Sequence, residues 1–129
     1  MKSVTTAIAA TLAIACMAQA HAASVYKGLF TDGQSRVLMI LQLEPSAKPG
    51  ERAGQLRMAE PWMCQLQLRA TDGDGQARRY VFAGVGAGRC DRLSQGHLSV
   101  EVDGDNAAVR VFDAKGAERY SADLIEIRS

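Results

Sequence analysis

Three kinds of residue in this sequence could carry chemistry: cysteine, histidine and clustered aspartate. Cys64 and Cys90 could form a disulfide, hold a metal or supply a nucleophile. His97 could act as a general base. Asp72, Asp74, Asp103 and Asp105 could serve as paired carboxylates or as oxygen ligands for calcium.

Each of these chemistries makes demands that the flanking residues can be checked against. A serine hydrolase needs a nucleophile whose proton passes to a nearby base. His97 falls on the polar side of a strand beside Gly96, and no Gly-x-Ser-x-Gly elbow occurs. The aspartates sit in Asp-Gly turns, where water keeps both members of a pair ionised and neither becomes a useful acid. Asp72-Gly73-Asp74-Gly75 starts like a calcium loop, yet Ala83 stands where the bidentate glutamate is required. Gly84-Val85-Gly86-Ala87-Gly88 matches neither the dinucleotide fingerprint nor a phosphate-binding loop. No catalytic residue, metal or cofactor is expected, and the chain reads as a non-enzyme.

The compartment decides how the cysteines are read. Met1-Lys2 is a short basic start, Val4 to Ala15 is an apolar run, and Ala18-Gln19-Ala20 and Ala20-His21-Ala22 are small-x-small cleavage sites. This predicts a signal peptide over 1–22, cut after Ala22, and a periplasmic or secreted product. The apolar run is too short to span a bilayer, and no second one follows. Ala13-Ile14-Ala15-Cys16 faintly resembles a lipobox, with the leucine displaced to Leu12, so lipid anchoring through Cys16 is the minor alternative. Once Cys16 is discarded, Cys64 and Cys90 are the only cysteines in a compartment that oxidises thiols, and pairing is the expectation. Such a bridge restricts the unfolded chain by roughly 3 to 4 kcal/mol on the chain-entropy model. Metal binding is disfavoured by the absence of Cys-x-x-Cys and the single remaining histidine.

Removing 1–22 from 129 residues leaves about 107, room for one domain. Without Lys2, fourteen basic residues face fourteen acidic ones, which argues against nucleic acid as a partner.

The elements that must position these residues alternate with period two almost throughout. Strands are expected over Ser24 to Phe30, Arg36 to Glu44, Ala53 to Glu60, Met63 to Thr71 and Gln76 to Ala83. Three more follow, carrying Leu98 to Val102, Ala107 to Val111 and Arg119 to Ile127. Pro45 and Pro49 break the second strand, Pro61 ends the third, and Gly-containing turns separate most of the others. Cys64, Leu66, Leu68 and Ala70 share the inward face of the fourth. A glycine-rich connection over Gly84 to Arg89 and one helical turn over Asp91 to Gln95 lead into the sixth. The reading is a single all-β domain over 23–129, an antiparallel meander of about eight strands. It should curl into a small barrel or flattened sandwich with one disulfide. Seven aromatic residues favour a narrow, self-filled core over a ligand cavity.

Two features exceed what a fold demands. Trp62 lies beside the cysteine clasp, where its indole could anchor a partner or pack over the disulfide. Arg89 and Arg92 border the Gly84 to Arg92 loop, which the bridge would hold at one end. Trp62, Arg89 and Arg92 are therefore the candidate partner-binding residues.

In size, export signal, single disulfide and β-meander the chain resembles bacterial periplasmic lysozyme inhibitors and the immunity proteins that neutralise cell-wall-degrading effectors. The resemblance is one of architecture, and no Ser-Gly-x-x-Tyr inhibitory loop occurs, so no residue role is carried over from it. It implies a binding domain that inhibits an envelope or secreted hydrolase. The alternative is an envelope accessory domain that holds a glycan fragment or metal for a larger assembly.

Overall fold

In a computed structural model, which describes residues 23–72, 77–84 and 88–128, eight strands follow one another without a crossover. They are β1 (Ser24–Asp32), β2 (Ser35–Leu43), β3 (Arg52–Met58), β4 (Cys64–Ala70), β5 (Ala77–Ala83), β6 (His97–Asp103), β7 (Asn106–Phe112) and β8 (Glu118–Ile127). Each pairs antiparallel with the next, and β8 returns to β1 through Val25↔Ile127 and Lys27↔Ile125, closing a barrel. The all-strand, single-domain reading is thus the observed architecture.

Alternation explains why the sheet curls as it does. In β2, Val37, Met39, Leu41 and Leu43 point inward and are buried, while Leu38, Ile40 and Gln42 line the outer wall. The same phase runs across the register: Leu41 lies opposite Leu56, and Leu56 opposite Leu66, all at most 1% exposed. Each such leucine contributes roughly 1.5–3 kcal/mol by leaving water. Inward residues from all eight strands fill the barrel, as the narrow-core reading expects.

Turn chemistry sets the ends of the strands. Gly33 and Gly104 open two-residue hairpins at φ 62° and 60°, the positive φ that a glycine-first tight turn requires. β1 consequently reaches Asp32, two residues beyond the expected limit, because the turn needs only Gly33 and Gln34. The expected helical turn is a 3-10 helix over Gly88–Leu93; it begins earlier and includes Cys90. Val102 continues the inward phase of β6, yet it is 47% exposed because it has reached the barrel's rim. The signal-peptide segment 1–22, Gly73 to Gln76 and Val85 to Ala87 lie outside the described residues.

Gly54 marks the sharpest backbone requirement. It follows a register shift in the β3–β4 ladder, holds φ +138°, and a Cβ there would collide with the Gln42 carbonyl. Gly54→Ala should therefore lower stability by about 1–3 kcal/mol, the usual cost of a side chain in this region of φ/ψ space. Urea denaturation checks it, and an unchanged midpoint contradicts the packing of β3 on β2.

A disulfide-pinned corner as candidate binding site

The barrel has two ends. One carries the β1–β2 hairpin, the β3–β4 loop, the 3-10 helix and the β7–β8 turn; the Cys64–Cys90 disulfide joins two of these, with Cα atoms 5.7 Å apart. That spacing suits a disulfide without backbone displacement. Both cysteines are buried, together with Leu93 of the 3-10 helix, so the bridge caps the core as well as tying the chain.

Trp62 occupies the centre of this cap. Its ring meets Phe30 at 5.6 Å and Tyr120 at 5.0 Å, both edge-to-face, while Phe30 and Tyr120 lie 5.1 Å apart. Such pairs contribute about 0.5–1.5 kcal/mol each beyond area burial. The indole Nε1 donates to Asp32 Oδ2 at 2.9 Å, so the one polar atom of the ring is satisfied. Arg89 Nη1 stands 3.7 Å from the same carboxylate oxygen. Burial, followed by the charge on Asp32, pushes the Tyr120 hydroxyl pKa above its ordinary value.

These positions redistribute the roles of the sequence candidates. Trp62 is 4% exposed and braces the corner from inside, so the expectation of an indole offered to a partner gives way to a packed ring. Arg89 and Arg92 are exposed on the 3-10 helix beside it. The side chain that does project is Met63, 68% exposed and held at φ 44°, a conformation that non-glycine residues seldom adopt. Sequence reasoning passed over it, although an apolar residue one step out of phase with inward Cys64 was the available signal. Met63 borders an open depression of about 350 Å3 that also touches Ile40, Arg57, Ala59 and Gln65. Gly88 runs against the Trp62 and Met63 carbonyls, 3.3 and 3.7 Å from where its Cβ would sit. Met63 and Arg89 therefore emerge from adjoining segments.

No family model, curated protein or solved structure matches this chain.

His97 lies elsewhere, on the outer wall. Its imidazole stacks on Phe112 at 4.4 Å and 7°, and the Arg110 guanidinium sits 5.4 Å from the same phenyl ring. Burial, then the Arg79 charge, lowers its pKa from the ordinary 6.5. The unfolded chain therefore takes up this proton at higher pH than the folded one does. His97 contributes stability that is present above pH 6.5 and is lost as pH falls through 6.5 toward the folded value. An NMR titration should place His97 below 6.5, and Arg79→Gln should raise it; a titration at or above 6.5 refutes the assignment. Among the described residues no three His, Cys, Asp or Glu side chains cluster to hold a metal, and no helix is long and apolar enough to cross a membrane.

Proposed function

We propose that this is an exported, non-enzymatic binding domain that inhibits a cell-wall-degrading hydrolase, in the manner of an inhibitor or immunity protein. The observation that carries the reading is Met63: a large apolar side chain, 68% exposed, held at positive φ on a corner pinned by a disulfide. Solvent-exposed methionine in a strained backbone has no benefit for folding, and strain of this kind concentrates where a surface is used. Arg57 shares its depression, and the 3-10 helix that carries Arg89 and Arg92 starts at Gly88, against the Met63 carbonyl. Glycoside hydrolases cut between two carboxylates. A rigid apolar knob with arginines on its own and the adjoining segment complements such a cleft, because arginine pairs bidentately with carboxylate.

Affinity capture from envelope extracts tests the reading. The protein should retain one dominant hydrolase and reduce its activity. Met63→Ser and the pair Arg89→Ser with Arg92→Ser should each weaken capture about tenfold or more, the effect of removing an interface anchor. Capture that is indifferent to both variants, or a partner that is not a hydrolase, defeats the proposal.

A further inference from the structure

The end of the barrel away from the disulfide is built differently. There Tyr26, Leu43, Tyr80 and Val100 form the last buried layer, at 6, 5, 3 and 2% exposure. Val102, next in the inward phase of β6, stands 47% exposed at the rim beside them. A cavity of about 190 Å3 remains, lined by these residues with Ser24, Pro45 and Arg78. Arg78 Nη1 donates to the Pro45 carbonyl at 3.0 Å, strapping β5 to the loop after β2 across the mouth.

The polar groups of this lining are phenol, hydroxyl and guanidinium, with no carboxylate among them. Tyr26 bonds the Ser24 side chain, and burial, followed by Glu126, raises its pKa, so it stays protonated. Tyr80, 3% exposed as a residue, lines the same mouth. A phenol in the wall of the mouth can donate a hydrogen bond to an acceptor that enters it. The nearest acids lie outside the lining, and one of them, Asp105, is paired with Arg128. Leu43 and Val100 supply apolar wall below and Val102 at the rim.

We infer that this mouth binds a small carboxylic acid with a short apolar body, its carboxylate between Arg78 and Tyr80 and its tail against Leu43, Val100 and Val102. The charge and fork of Arg78 select carboxylate over hydroxyl or amine. The volume, about six waters' worth, is below that of drug-sized sites and admits only a short chain. Barrel mouths are common places for such ligands. The site shares no residue with the disulfide corner and stands whether or not that corner binds a hydrolase.

Hexanoate is the probe, with hexan-1-ol and hexylamine as controls, followed by amide chemical shifts in the purified protein. Hexanoate should produce saturable shifts at Ser24, Tyr80, Val100 and Val102, with resonances near Cys64 unmoved. Hexan-1-ol and hexylamine should bind at least tenfold more weakly. Arg78→Gln should weaken hexanoate at least tenfold and Tyr80→Phe several-fold, while Arg78→Lys keeps part of the affinity. Val102→Trp, which fills the mouth from the exposed rim and leaves the buried layer intact, should abolish binding in a protein of unchanged melting temperature. The inference is overturned by the absence of saturable shifts, by equal binding of acid and alcohol, or by an Arg78→Gln protein that binds as the unaltered one does.

Discussion

Trp62→Ala should cost about 3–5 kcal/mol of folding free energy, the range for deleting a large aromatic from a core. The ring is nearly inaccessible and has two aromatic edges against it, so no neighbour can collapse into the space without moving Phe30 or Tyr120. Asp32 would also lose its neutral donor and retain only the exposed Arg89, a pairing of the kind that adds little. Against a total of about 5–15 kcal/mol for a domain of this kind, the loss is a large fraction. Trp62→Phe, which keeps an aromatic ring but removes the hydrogen bond, should cost less, about 1–2 kcal/mol. Chemical denaturation followed by circular dichroism measures both. The comparison with Met63 is informative: Met63→Ser should leave stability nearly untouched while weakening capture, whereas Trp62→Ala should damage both. A Trp62→Ala protein as stable as the parent would mean that the ring does not hold the corner together.

Removing the disulfide should have the next largest effect. The double variant Cys64→Ala, Cys90→Ala frees a loop whose ends are 26 residues apart in sequence, for a loss of roughly 3 to 4 kcal/mol from chain entropy alone. Alanine is the better replacement because both positions are buried and a serine hydroxyl there would need a partner. Hydrogen exchange should quicken first in the 3-10 helix and at the start of β4, with β7 and β8 retaining their protection, since only the former elements are tied by the bridge. Coincident denaturation curves with and without reductant would contradict this. The disulfide and Trp62 touch the same loop, so their effects should not add.

How far this was legible from sequence can be seen in particular residues. The inward set of β2 and β4 follows from period-two alternation, and the pairing of Cys64 with Cys90 was expected from their being the two cysteines outside the first 22 residues. Trp62 was placed beside the clasp, but its side chain's fate was open because the partner that fixes it, Asp32, is 30 residues away. No periodicity connects those two positions. Met63 escaped notice because alternation classifies it only as outward, and outward apolar residues are ordinary; its positive φ is visible only once the loop is built. Val102 kept its inward phase in sequence and lost its cover in space, since distance from the rim is not encoded in alternation. Alternation left barrel and flattened sandwich both open; the meeting of β8 with β1, a product of accumulated twist around the eight strands, decides for the barrel.

That meeting has a practical consequence. Val25 and Ile127 are direct neighbours, so β1 begins and β8 ends at the same rim, at the opposite end of the barrel from Met63. A fluorescent fusion, a purification handle or a surface tether placed there would hold the methionine corner pointing away from its support. A barrel of residues 24–127 whose Ser24 and Ile127 are joined by a short linker and whose chain is reopened at the Gly104 hairpin, at that same rim, should fold with the same face presented.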